Sequence, residues 1–232
     1  MITLHTMPRI GWGHLNPSPF CMKVEVWMRL AGVEHRVAPT LMATRAPRKK
    51  LPWIELEGRR LADSEVIITT LARDRGDPLG DAGGPTGSGH LLRRTFEESF
   101  YFGLVAERWL DETVKRDYTA ALLAGLPAPL RPLTRTLAER ALARQLWEQG
   151  TGRRPLAEIA EGMAADLTAA SDVLSDAMYF GGDTPRALDA TMYSFLSNVW
   201  HIPVETRSKR VVSRLPRLVA YLDRMERRLG PA

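Results

Sequence analysis

The chain has 232 residues, 44% apolar and 25% charged, enough for one large domain or two smaller ones sharing an interface. Its single cysteine, Cys21, excludes an internal disulfide framework and fits a reducing, cytoplasmic setting, and the absence of a run of about 18 apolar residues excludes an evident membrane-spanning helix. The net charge of +5 is almost all arginine, spread among acids as in Arg135, Glu139, Arg140 and Arg144, so a solvated surface is expected and not a nucleic-acid face.

In chain order, Ile2 to His5 reads as a strand, and the opening Met1–His5 lacks the basic region and long apolar core of a secretory signal. Ser18 to Ala31 reads as a helix, with Ser18 where an N-cap belongs and Pro19 at the favoured first position. Glu34 to Ala38 reads as a strand. Trp53 to Leu56 and Arg60-Leu61 flank Glu57-Gly58, a hairpin signal, and Ser64 to Arg73 reads as a helix with Ser64 as its cap. Between Gly76 and Gly89 the composition falls to Gly, Pro, Asp, Ser and Thr. No strand precedes the Gly83–Gly89 run and no Gly-Lys-Ser/Thr follows, so a linker over 77–89 is expected, not a phosphate loop. Helices are expected over 91–121, 132–149, 155–178, 186–200 and 215–228, separated by Pro/Gly breaks.

Several residues carry two readings each. Ser18 can simply cap its helix. Cys21 lies in line with Val24, Met28 and Ala31 at helical spacing, which favours a buried structural thiol over a nucleophile, and Ser18 at the first position of Ser18-Pro19-Phe20-Cys21 removes dithiol exchange. Arg48-Lys49-Lys50 before Leu51-Pro52 is a charged loop before a strand. Asp63-Ser64-Glu65 is a plain helix start or an anion site. The five histidines show no metal-ligand spacing, and no metal is expected. No Gly-x-Ser-x-Gly elbow is present for a hydrolase.

Taken together, Ser18-Pro19-Phe20-Cys21-Met22-Lys23-Val24-Glu25, Lys50-Leu51-Pro52-Trp53-Ile54 and Leu61-Ala62-Asp63-Ser64-Glu65 resemble the thiol-binding domain of the glutathione transferase superfamily. The likeness is greatest to its Fax/metaxin-like branch. It continues in Gln149–Arg153, in Gly181–Thr191 and in Leu215–Met225, and so spans nearly the whole chain. The resemblance implies a thioredoxin-like domain over 1–76, the 77–89 linker and an all-helical domain over 90–232.

It also implies glutathione, or a related thiol, as co-substrate. The Ser18 hydroxyl would donate to the bound thiolate, which both a helix N-terminus and a hydroxyl favour. Pro52 would follow a cis bond, the Leu51 backbone would pair with the cysteinyl part, Lys50 would meet the glycyl carboxylate, and Asp63 and Ser64 would hold the γ-glutamyl end. A small electrophile would enter a pocket beside Trp12, His14, Tyr101 and Trp109, with Phe102 and Trp200 as further apolar lining. Asp189 matches the superfamily's buried helix-capping aspartate, but Arg186 stands where a hydroxyl cap belongs, leaving Thr184 before Pro185 as the alternative. A homodimer is possible in this superfamily. A non-catalytic adaptor that keeps the fold and binds a protein partner is the rival reading, because fold alone does not fix function.

Overall fold

The computed structural model describes residues 1–10, 16–40, 43–80 and 87–230. Strand β1 (Ile2–Thr6) alternates buried Ile2, Leu4 and Thr6 with part-exposed Thr3 and His5, the period of a strand with one covered face. It pairs in parallel with β2 (His35–Pro39) and antiparallel with β3 (Trp53–Leu56). β3 in turn pairs antiparallel with β4 (Arg59–Ala62), giving the order β2-β1-β3-β4. Glu57 and Gly58 both take positive φ, 51° and 76°, the geometry a tight two-residue hairpin requires. The parallel β1–β2 pair needs a crossover, which α1 (Pro19–Leu30) supplies.

After β4 comes α2 (Ser64–Asp74), and here the expected cap is corrected. Asp63, not Ser64, is the N-cap: its carboxylate accepts the Glu65 N–H at 3.1 Å, and Ser64 is the first helical residue. Asp63 sits at φ 82°, a conformation an Asp tolerates better than most residues.

The rest is helical. α3 (Gly87–Arg94) starts inside the stretch expected as linker and passes through a π-helical segment, Thr95–Phe100, into α4 (Tyr101–Trp109). The helix expected over 91–121 is not continuous. Asp111 adopts an extended backbone and caps a new helix, α5 (Glu112–Leu122), by accepting the Thr113 N–H at 3.0 Å. α6 (Arg131–Gln149), α7 (Leu156–Leu174) and α8 (Ala187–Trp200) follow, then α9 (Arg207–Val212) and α10 (Pro216–Leu229). α9 lies in the expected break between Pro203 and Pro216. Thr206 caps it, and the buried Glu107 carboxylate accepts the Ser208 N–H at 2.9 Å.

The main core runs continuously from Ile2, Leu4 and Ile54 of the sheet through Val24, Trp27 and Met28 of α1 to Phe195 and Leu196 of α8. α1 packs directly on α8, so the sheet side and the helical side share this core. No helix among the described residues is long and apolar enough to cross a membrane.

The start of α8 shows how the chain copes with Arg186 at the capping position. The Asp189 carboxylate, fully buried, accepts N–H bonds from Phe180 (2.8 Å), Gly181 (2.9 Å) and Arg186 (2.9 Å). The helix therefore begins at Ala187 without Thr184, because one carboxylate satisfies three backbone donors. The Arg186 guanidinium, which cannot accept a hydrogen bond, reaches back to the carbonyls of Leu79 (3.4 Å) and Gly80 (3.3 Å). Gly80 has φ +71°, and a Cβ there would lie 2.4 Å from Arg186 Nη1. Gly80→Ala should cost about 1–2 kcal/mol from the left-handed backbone alone. Urea denaturation of the variant measures this; an unchanged midpoint would mean that the backbone at residue 80 relaxes without cost.

Candidate thiol site

The sheet register gathers the expected site segments. His5, Trp53 and Ala62 stand side by side across β1, β3 and β4. The chain after β1, the chain before β3 and the chain after β4 therefore all leave from one end of the sheet. Those exits carry Ser18, Leu51-Pro52 and Asp63-Ser64 in turn, and the two helix N-termini of α1 and α2 begin there.

Ser18 is the N-cap of α1, as expected. Its Oγ accepts the Cys21 N–H at 3.3 Å, and its hydroxyl hydrogen can go to the Cys21 sulfur or to a thiolate bound at the helix start. The approach to Ser18 is fixed by Asn16, which is buried: its Oδ1 accepts the Ser18 N–H at 3.1 Å, and its Nδ2 donates to the Met7 carbonyl at 2.9 Å. The Leu51–Pro52 bond is cis. Pro52 is buried, Leu51 half-buried and Lys50 exposed. Asp63 is exposed, 3.6 Å from the Arg48 guanidinium, a pair too solvated to fix geometry strongly. Ser64 is buried at the first turn of α2, among the backbone N–H groups that make any helix start an anion site.

Cys21 lies one turn inside α1, with no exposed surface. Burial pushes its thiol from the ordinary 9.0 up to about 11, outweighing hydrogen bonds from the Met7 backbone and the Ser18 side chain. At neutral pH only about one molecule in ten thousand would hold it as thiolate. The folded protein should resist a thiol-alkylating reagent at pH 8, and react at once when unfolded; rapid labelling of the folded chain would overturn this. The raised value has a stability consequence as well. The folded state keeps a proton that the unfolded chain releases near pH 9, so this contribution is complete below pH 9 and lost as pH rises through about 11.

The expected pocket residues divide. Trp12 and His14 lie outside the described residues. Tyr101 packs edge-on against Phe20 (centroids 4.9 Å apart), the residue two after Ser18, so it faces the start of α1. Burial raises its phenol, with Tyr118 and Cys21 adding and the Arg108 guanidinium opposing, so the hydroxyl stays protonated. Trp109 sits instead in a small core with Val114, Tyr118 and Ile202, and its packing against Tyr118 at 5.9 Å is structural. Phe102 and Trp200 pack on the main core. A cleft of about 370 Å³ lined by Arg9, Glu25, Arg29, Tyr193 and Glu226 lies along another part of α1 and takes in none of the site residues.

Two features around the site escape a reading by motif. Lys23, fully buried, pairs with Glu97 of the π-helical segment and with Glu65 of α2 at 3.0 Å. Arg93 of α3 joins the same two carboxylates at 3.2 and 2.9 Å, closing a neutral cluster that ties α1, α2 and α3. Arg108 of α4, also buried, donates to the carbonyls of Pro17 (3.2 Å) and Asn198 (2.6 Å). Glu25 is occupied by Arg9. The lysine and glutamate of the Ser18–Glu25 motif thus hold structure around the site.

Residues 19–114 match the glutathione S-transferase N-terminal domain and residues 163–225 the glutathione S-transferase C-terminal domain. The chain belongs to the glutathione transferase superfamily, with a thioredoxin-like sheet followed by the superfamily's helical region. Among individual relatives, it is 31% identical to an isoprene-epoxide glutathione S-transferase of Rhodococcus sp. (strain AD45), over 94% of each chain. It is 26% identical to Failed axon connections of Drosophila melanogaster, over 92% of this chain and 54% of that one. Among solved structures, the β-etherase LigF of Sphingobium sp. strain SYK-6 superposes with a TM-score of 0.62 at 14% identity, over 97% and 94% of the two chains. Glutathione S-transferase I from maize, solved with an atrazine glutathione conjugate, gives 0.59 at 14% identity over 96% and 90%.

Proposed function

We propose that this protein is a glutathione-transferase-like enzyme that binds glutathione, or a related thiol, and adds it to a small electrophile or uses it to isomerise one. The observation that carries the reading is the N-cap of α1: the Ser18 hydroxyl accepts one backbone N–H and keeps its own proton to give. A thiol bound there would lose its proton more readily, with a hydroxyl donor and a helix N-terminus both favouring the thiolate. The Leu51 backbone before Pro52 would align the tripeptide. Lys50 would meet its glycyl carboxylate, and Asp63 and Ser64 its γ-glutamyl end.

Similarity to the isoprene-epoxide enzyme makes a small epoxide the first acceptor to try. The thiolate sulfur would form a bond to a ring carbon as that carbon's bond to oxygen breaks, and the alkoxide would take up a proton. Tyr101, whose ring packs on Phe20 at the start of α1, is the first candidate to give it. The chain's part is then nucleophile activation and positioning. Consumption of glutathione with a panel of small epoxides, aryl halides and isomerisable double bonds tests the reading. Turnover lost in Ser18→Ala supports it, and turnover indifferent to Ser18 would overturn the assignment.

One observation favours the adaptor alternative. Leu130, Leu133, Leu137 and Trp147 on and beside α6 are each more than half exposed, an apolar face of the kind protein partners use. If no thiol binds, that face is where a partner would be sought.

A further inference from the structure

Arg108 holds a buried positive charge for which no described residue provides a negative partner. Its guanidinium is 4% exposed. Its partners among the described residues are the Pro17 carbonyl, the Asn198 carbonyl and side-chain oxygen (2.6 and 3.0 Å), and the Tyr118 hydroxyl at 3.4 Å, with the Tyr118 ring 5.0 Å beneath it. All are neutral groups. Its Nε is buried with no hydrogen-bond partner. The two carboxylates nearest it in sequence are engaged elsewhere, Glu107 with Ser208 and Asp111 with Thr113. Of other titratable groups, it faces Tyr118 of α5 and acts on Tyr101 of α4, which also feels Cys21 of α1; none is a carboxylate. Burying an ion without a counter-charge is costly, and here only neutral hydrogen-bond partners offset it.

The remaining contacts say where. Arg108 grips the carbonyl of Pro17, one residue before Ser18. Asn198, fully buried and held by Arg108, donates from Nδ2 to the Asn16 carbonyl at 3.1 Å. Asn16 in turn holds the Ser18 N–H. The whole turn Asn16–Ser18 is therefore fixed from α4 and α8.

We propose that Arg108 is a positioning residue of the thiol site, clamping the Asn16–Ser18 turn through Pro17 and Asn198 while presenting an unbalanced positive charge whose counter-ion is the thiolate bound at Ser18. This rests on the glutathione reading above. A positive charge near the sulfur favours thiolate over thiol without touching it, so its signature is in the thiol's ionisation and not in ligand affinity alone.

The test is the pH titration of the thiolate ultraviolet absorbance of protein saturated with glutathione, in the wild type, Arg108→Met, Arg108→Lys and Asn198→Asp. Asn198→Asp sets a carboxylate against the guanidinium and balances its charge from within, but gives up the Nδ2 donor to the Asn16 carbonyl; Asn198→Leu, which gives up that donor without adding charge, is measured beside it and should titrate below Asn198→Asp. The bound thiol should titrate about one unit higher in Arg108→Met and in Asn198→Asp, with kcat/KM about tenfold lower at neutral pH and recovering at alkaline pH. Arg108→Lys, which keeps the charge, should titrate like the wild type. If Arg108→Met does not fold, the difference between Asn198→Asp and Asn198→Leu decides. An Asn198→Asp protein that binds glutathione with an unmoved thiol titration overturns the inference and leaves the function standing. A wild type that shows no thiolate signal with glutathione overturns both.

Discussion

Ser18→Ala should raise the pKa of the bound thiol by about two units, and so lower kcat/KM at neutral pH about a hundredfold, while costing only about 1 kcal/mol of stability. The two effects come from different atoms of one side chain. The stability loss comes from the Oγ lone pair that accepts the Cys21 N–H. The activity loss comes from the hydroxyl hydrogen, whose partner in the fold is the buried Cys21 sulfur and which would turn to a bound thiolate. Ser18→Asp separates them, because aspartate caps a helix as well as serine does but has no proton to donate and repels a thiolate. It should unfold at the wild-type denaturant midpoint or above and be less active than the alanine variant. A Ser18→Asp protein as active as wild type would reduce Ser18 to a cap.

Lys23→Met should cost about 3 kcal/mol of stability. Lys23 is fully buried between Glu65 and Glu97. Removing it leaves those two carboxylates to share Arg93 alone, an excess negative charge with Glu97 buried, and breaking a buried ion pair from one side typically costs about 3–5 kcal/mol. The surviving arginine places the expectation at the lower end. Adding Glu97→Gln to Lys23→Met should recover about 1 kcal/mol, because it removes the stranded charge. Denaturant midpoints of the single and double variants give the coupling directly. A Lys23→Met loss below about 1 kcal/mol, with no recovery in the double variant, would mean that the cluster is far better solvated than its burial indicates.

The sheet end of the molecule was readable because its signals are local. The Ile2–His5 strand signal, the Glu57-Gly58 turn, and Ser18-Pro19 at a helix start each lie within a few residues of what they specify. The corrections also have local causes. Asp63 competes with Ser64 for the cap of α2 and wins because its carboxylate reaches the Glu65 N–H while its backbone accepts a positive φ. Asp111 breaks what the hydrophobic period presents as one long helix, and α9 is too short to show a period at all.

What could not be read was the support beneath the site. Asn198 meets the Asn16 carbonyl across 182 residues, and Arg108 meets the Pro17 carbonyl across 91. In sequence, Arg108 is one more arginine in a chain rich in them, and Lys23 is one cation in a helix. Only packing shows that both are buried and what each one balances. Trp109 erred in the other direction: its aromatic character fits a ligand pocket equally well, and its neighbours Val114 and Ile202 place it in the core.

The most direct test of the central claim is thermal or denaturant stability with and without glutathione, with other low-molecular-weight thiols in parallel and Ser64→Ala as the control. A ligand at about 100 times its dissociation constant adds roughly 2.7 kcal/mol to the folded state. The account predicts a gain of that order with glutathione or one related thiol, largely abolished in Ser64→Ala. No gain with any thiol, or a gain that Ser64→Ala leaves intact, would contradict a thiol site at the starts of α1 and α2.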